Sequence, residues 1–296
     1  MLKIIAKYNS VKSMMKQQYE SEFIGFKDEL SSFIFRLLTN RQDTEDIVHD
    51  TYIKGLDNIK KFQGKSSLKT WVFSIALNSA KNQLKGKKRW VENSQDYGAA
   101  LHSKSPELID KMRMIFETTP ERDYEIKEHI SYCFNCINKT LLLKQQVCIL
   151  LKEVYHFKVS EIIEITGFTE GIVKHSLADA RKNMIRIFDN RCAFVNKKGI
   201  CHQCTTLKGV LNPKQDAHVK AQELKLIKEK DRQNSDYLFD LRLELVQGIN
   251  PLHAKNSILN TYMLENNENW VEEGKKKHVL GKNTDAIVSD CKIRES

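Results

Sequence analysis

Apolar positions recur along most of this chain at intervals of three and four residues, the period that turns one face of an α-helix toward a core. Between about Gln17 and Leu38 they fall at Phe23, Phe26, Leu30, Phe33, Ile34 and Leu37, which predicts one amphipathic helix. Thr39 to Gln42 makes a short polar break, with Asp43 or Thr44 as the expected cap of a second helix that turns Ile47, Val48, Thr51, Tyr52 and Leu56 inward. Lys60 to Ser67 reads as a polar loop before a helix containing Trp71, Val72, Ile75, Ala76 and Leu84. From Val91 to about Ser131 the period lapses among polar residues, Gly98, Pro106 and Pro120, so a linker with one short helix near Leu108 to Phe116 is expected.

The pattern sharpens between Val159 and Ile187. Ile162, Ile163 and Ile165 give a short helix and Thr166-Gly167-Phe168 interrupts it. Thr169 is a suitable N-cap, and Val173, Leu177, Ala180, Met184 and Ile187 form the buried stripe of a second helix. This is the pattern of a helix-turn-helix. Further stripes follow at Val219, Leu224, Ile227, Tyr237, Leu238, Leu241 and Leu245, then a break at Asn250-Pro251, a last helix from Ser257 to Leu264 and a tail from Asn266 that reads as solvated.

With four prolines and twelve glycines in 296 residues, these helical stretches point to an all-α chain. No apolar run approaches the roughly 18 to 20 residues of a membrane span, and the opening residues lack the small-residue cleavage site of a secretory signal, so a cytoplasmic protein is expected. In that compartment the seven cysteines are expected as thiols or metal ligands rather than disulfides.

Charge changes the picture. A formal net charge of +10 favours a polyanionic partner. Between Lys54 and Arg89 the only acid is Asp57, against Lys54, Lys60, Lys61, Lys65, Lys69, Lys81, Lys85, Lys87, Lys88 and Arg89. Phe62, Trp71, Phe73 and Trp90 are interleaved with these cations, a combination that neutralises phosphates and stacks unpaired bases. The competing reading makes the aromatics core and the lysines a soluble face. On the second helix of the helix-turn-helix, Glu170, Lys174, His175, Ser176, Asp179, Arg181 and Lys182 lie opposite the apolar stripe, where side chains can reach base edges or phosphates. An ordinary helical hairpin with a solvated face has the same periodicity. Asp43, Glu45, Asp46 and Asp50 cluster at the start of the second helix, where the helix dipole favours them.

These segments resemble a family. RQDTEDIVHDTYIKGLDNIKKFQGKSSLKTWVFSIALNSAKNQLK is similar to the second conserved region of the extracytoplasmic-function sigma factors, the small bacterial transcription initiation subunits, and Leu141 to Met184 is similar to their fourth region. The resemblance implies two small helical domains that bind core RNA polymerase and promoter DNA. Asp43, Glu45, Asp46 and Asp50 would dock on the clamp helices of the polymerase largest subunit. Phe62, Gln63, Gly64, Lys65, Ser66 and Ser67 would receive a base extruded from the −10 element, with Lys69, Trp71, Asn78, Lys81 and Asn82 along the same strand. The helix opened by Thr169 would read the −35 element through Glu170, Lys174, His175, Ser176, Arg181 and Lys182. At Ser176, Ala178 and Asp179 the chain departs from the family, which usually carries more arginine there, so its −35 sequence does not follow from the resemblance. No catalytic side chain, required cofactor, membrane or small-molecule substrate is implied; a separate anti-sigma protein is a further partner of this class.

The resulting organisation has a leading segment at 1–16, a region 2 domain at 17–90, a linker at 91–131 and a region 4 domain at 132–190. A cysteine-containing segment at 191–214 and a helical extension at 215–296 follow. Cys133-Phe134-Asn135-Cys136 and Cys201-His202-Gln203-Cys204 are both C-x-x-C pairs. Cys192, Cys201 and Cys204, with His202 as a spare donor, are the candidate zinc ligands; Cys133 and Cys136 read first as helix packing. A reversible disulfide at Cys201 and Cys204 beside Lys197, Lys198 and Lys208 is the alternative, as is a purely structural role. RCAFVNKKGICHQCTTLKGVLNPKQ is similar to a C-terminal extension found in a subset of these sigma factors, and it can stabilise, inhibit or sense. The main competing function is a polymerase-independent helix-turn-helix regulator, which leaves the Phe62 to Trp71 junction unexplained; a thiol or zinc enzyme lacks its βαβ or H-x-E context.

Overall fold

The computed structural model describes residues 2–94, 96–98, 101, 105–117, 126–192, 223–225, 235–254 and 257–276. Among them every regular element is helical, and no helix is long and apolar enough to cross a membrane. The chain forms two compact units, one from residues 1–88 and 144–179, the other from 89–143 and 180–296.

The first unit begins with α1, Leu2–Leu38, which starts well before the apolar stripe that predicted it. The break is shorter than the spacing suggested. Asn40, rather than Asp43 or Thr44, caps α2 (Arg41–Asn58), its side chain accepting the Asp43 N–H at 2.8 Å. Thr44 is buried instead and donates to the Asn40 carbonyl at 2.6 Å. A 3₁₀ turn, Ile59–Lys61, leads through a loop to α3, Leu68–Leu84, capped by Ser67.

The three helices bury a core in which rings from α1 meet both neighbours: Phe23 lies 5.1 Å from Tyr52, and Phe33 lies 5.4 Å from Phe73. Val72, Phe73, Ala76, Leu77 and Ala80 give α3 a fully enclosed inner face. Tyr19 is fully buried and donates to the Tyr52 carbonyl at 3.0 Å. Gly55 is what admits it, because a Cβ there would stand 2.1 Å from the Tyr19 Oη.

The same unit includes all but the first residue of α6, Leu143–Ile149, which widens into one π turn at Leu150–Val154, and α7, Val159–Thr166. Glu161 reaches back to accept the Lys158 N–H at 2.8 Å, which fixes the start of α7. Gly167 ends it at φ 71°, a left-handed conformation that costs a side-chain-bearing residue roughly 1 kcal/mol or more. α7 packs on α3. The residues just before it complete the α1–α3 core, with Phe157 4.9 Å from Phe73 and Tyr155 5.6 Å from Phe33.

α8, Glu170–Arg191, carries the fully buried Val173, Ala180 and Met184, as its period predicts. Its second half belongs to the other unit, which also holds α4 (Pro106–Glu117), α5 (Ile126–Asn138), α9 (Ser235–Gln247) and α10 (Ser257–Lys276). The short helix expected in the linker is α4. α5 packs chiefly against α9, with Phe134, Leu238, Phe239 and Val246 buried. Trp90, expected among the basic residues as a base platform, is instead buried here: its ring N–H donates to Glu268 at 3.0 Å and Lys139 lies over its face.

Candidate nucleic-acid interface

α2 is divided by its own period. Thr44, Ile47, Val48 and Thr51 face the core, so Glu45, Asp46 and Asp50 fall on the solvent side, with Asp43 half-buried near the cap. Their contacts are local: Arg41 to Glu45 and Lys54 to Asp50, each 3.9 Å, and Gln42 donating to Asp46 at 3.1 Å. Exposed pairs of this kind contribute at most about 1 kcal/mol, so the carboxylates are available to a partner at small cost. Ile53 is exposed on the same helix, adding an apolar spot.

The loop after α2 is held at both ends. Phe62 donates its backbone N–H to Ile59, and Ser67 accepts the Thr70 N–H, each at 3.1 Å. Between these anchors Gln63, Gly64 and Lys65 are exposed and Ser66 is half-buried. Gly64 adopts φ 66° with nothing near its missing Cβ, so backbone conformation rather than crowding calls for glycine. Phe62 and Trp71 pack ring to ring at 5.3 Å, both half-exposed, at the rim of the loop. Asn78 and Asn82 are exposed four residues apart, in the same stripe of α3 as Trp71.

Two cations expected on that stripe are engaged inside the first unit. Lys69 pairs with Glu29 at 2.6 Å and lies over the Phe157 ring at 4.8 Å. Lys81 donates to the Thr166 carbonyl at 3.2 Å and lies over Phe168 at 5.2 Å; burial pulls its pKa down. Thr70 also donates to Glu161, at 3.4 Å. The helix-turn-helix therefore covers part of α3, a tertiary contact that neither segment's period announces.

On α8, Glu170, Lys174, His175, Asp179 and Lys182 are exposed, while Thr169 accepts the Ile172 N–H at 3.4 Å as the expected cap. Lys174 pairs with Glu170 at 2.7 Å and, by that hydrogen bond, lowers the Glu170 pKa. Ser176 departs from the expected outward face. It is 2 % exposed and bonds the buried Cys148, whose thiol burial pushes up to about 11. Its place three residues after Val173 puts it on the edge of the buried stripe, and its small size lets it stay there.

Arg181 is also held within its own unit. It donates to Asp236 at 3.2 Å and Asp240 at 2.6 Å and lies over the Phe239 ring at 5.1 Å. Burial works against its charge, but the Asp240 and Asp236 carboxylates outweigh that and raise its pKa.

The cysteines divide differently from their sequence spacing. In the second unit Cys133, Cys136 and Cys192 line one cavity of about 30 Å³ together with His129, Ile187 and Phe188. His129 Nε2 stands 3.2 Å from the Cys133 thiol, and burial drops its pKa to about 4. Sequence reasoning gave His129 no role; its spacing four residues before Cys133 on a helix is the signal that could have found it. Cys201, His202 and Cys204 lie outside the described residues. Among the described residues no three His, Cys, Asp or Glu side chains are placed to hold a metal ion.

Residues 25–90, which run from within the second half of α1 through Trp90, match the family model described as Sigma-70 region 2. The chain is 25 % identical over 169 residues to the ECF RNA polymerase sigma factor SigG of Mycobacterium tuberculosis, covering 54 % of this chain and 45 % of that protein. It therefore spans less than half the length of that relative. It is also 24 % identical over 184 residues to the RNA polymerase sigma factor YlaC of Bacillus subtilis, covering 60 % of this chain and 94 % of that one. Among solved structures it is similar to the sigma factor RpoE of Bartonella quintana, crystallised with the anti-sigma factor NepR. That match has 18 % identity and a TM-score of 0.41, and covers 58 % of this chain and 97 % of that one.

Proposed function

We propose that this chain, which carries a sigma-70 region 2 domain and is similar to extracytoplasmic-function sigma factors over more than half its length, is a transcription initiation subunit that binds core RNA polymerase and directs it to promoter DNA. The observation that carries this reading is the division of labour inside residues 25–90. The inner faces of α1, α2 and α3 make the core. The exposed Glu45, Asp46 and Asp50, the exposed Gln63 to Lys65 of the anchored loop and the outer Asn78 and Asn82 lie outside that core.

The carboxylate face of α2 docks on the polymerase. The loop and the stripe from Trp71 to Asn82 take the melted −10 strand, where accepting an extruded base repays a few kcal/mol of unstacking and so couples sequence choice to melting. The exposed Lys174, His175 and Lys182 of α8 approach the −35 duplex. The polymerase supplies the chemistry, so the chain needs no catalytic group of its own, and its place of work is the cytoplasm. Soft donors around the Cys133 and Cys192 cavity, and Cys201 and Cys204 nine and twelve positions after Cys192 in the sequence, support zinc binding or thiol redox chemistry. Metal analysis of the chain purified without chelator, beside Cys192→Ser and Cys201→Ser, separates these roles.

Run-off transcription with purified core polymerase and genomic fragments of the source organism tests the main reading. Discrete start sites that appear only with this protein are expected. Their absence, from polymerase active with another sigma subunit, would overturn it.

A further inference from the structure

The sequence places Arg181 among the groups that meet promoter DNA, but a helix of the C-terminal extension already holds it. α9 runs past the second half of α8 and binds it through successive contacts. Asp236 and Asp240 take the Arg181 guanidinium at 3.2 and 2.6 Å. Phe239, 2 % exposed, lies under that guanidinium and 6.2 Å from Phe188. Arg242, 1 % exposed, lies over the Phe188 ring at 5.2 Å and donates to the Leu238 carbonyl at 3.0 Å. Ser235 closes the contact by donating to Asp189 at 2.6 Å. The buried aromatic and aliphatic groups fix α9 in place, and the two carboxylates then face the arginine as a phosphate would.

We propose that the extension competes with promoter DNA for the reading helix: Asp236 and Asp240 occupy Arg181 in place of a backbone phosphate, so full −35 binding requires that ion pair to open. This rests on the promoter-binding role of α8 proposed above. The chemistry is an exchange of one pair of anionic oxygens for another around a guanidinium that suits both. Four residues of helix separate the two aspartates by about 6 Å, so both reach one arginine from a single face of α9. Because these carboxylates are more than half exposed, with side-chain exposures of 60 % and 54 %, the clamp is weak enough for a polyanion to displace. It opposes the long-range attraction of a chain with net charge +10 at one chosen point.

The test is the affinity of holoenzyme, made with the full chain, for a promoter fragment at fixed salt. Asp236→Asn with Asp240→Asn is expected to tighten binding roughly five- to tenfold, the low end of coupling between competing ligands. Asp240→Glu, which keeps the pair, should bind like the unaltered chain. Arg181→Ala should weaken binding, and adding it to the double asparagine variant should abolish the gain. Unchanged affinity in the double variant, while Arg181→Ala still weakens binding, overturns the competition and leaves the role of α8 standing. A gain that survives without Arg181 is a general charge effect and overturns it as well. If Arg181→Ala changes nothing, Arg181 meets no DNA and the competition fails at its first premise.

Discussion

Gly55 and Tyr19 show how much one missing methyl group can decide. The Tyr19 ring is buried and its hydroxyl donates to the backbone of α2, so it has nowhere to move when a Cβ is added 2.1 Å from its oxygen. Gly55→Ala is expected to destabilise the first unit by about 1–3 kcal/mol despite the higher helix propensity of alanine, measurable as a lower urea midpoint.

His129 makes a pH-dependent contribution of the opposite origin, through burial alone. Its folded pKa of about 4 lies below the ordinary value of 6.5, so between these limits the unfolded chain binds a proton that the folded chain does not. Stability therefore falls as pH drops from about 6.5 toward 4, by up to roughly 3 kcal/mol from this group, and levels off below. Denaturation curves at several pH values should lose that part of the slope in His129→Gln.

At the acidic face of α2 no such burial intervenes. Asp46→Lys with Asp50→Lys should leave the circular dichroism spectrum and melting unchanged and abolish co-elution with core polymerase. Retained co-elution would remove α2 from the docking surface.

The element that most changes its meaning in three dimensions is α7. By sequence it is the first half of a DNA-reading motif. In the folded chain, it and the residues before it also cap the α1–α3 core: Phe157 packs on Phe73, Tyr155 shares a hydrogen bond of 2.9 Å with Ser32, and Lys81 ends at the Thr166 carbonyl. Phe157→Ala removes a side chain that is 4 % exposed and should cost about 3–5 kcal/mol. Hydrogen exchange should then rise in α7 and along the outer face of α3 before it rises in α1. Uniform acceleration across the unit would mean that α7 is part of one cooperative core rather than a separable cover.

The whole molecule adds a net positive charge to these local surfaces, and salt reports how much of it reaches DNA. Each phosphate contact contributes about 0.9 to the slope of log affinity against log salt. Lys174→Ala with Lys182→Ala should therefore flatten the slope for promoter binding by roughly two, while a single-stranded −10 probe responds little. A slope unchanged by both substitutions would take these lysines off the duplex.

What the sequence determined by itself was whatever depends on neighbours a few positions away. The period of Phe23 to Leu37 placed the later part of α1 and its end, Gly167 marked the end of α7, and the spacing from Val173 to Met184 turned α8 to its correct side, because helix geometry converts near spacing directly into shared faces. The exposure of Gln63 to Lys65 and of Glu45, Asp46 and Asp50 was legible for the same reason, since exposed groups on one element need no distant partner to define them. What only the tertiary structure decided was the fate of groups that can serve either solvent or a neighbour. Lys69 and Lys81 bind inside the first unit, Trp90 and Ser176 are buried, Arg181 is held by α9, and Cys133 and Cys192 share a cavity although they are far apart in the chain. Amphipathic and small side chains satisfy more than one environment at similar free energy, so their choice is made by whichever surface the fold brings beside them.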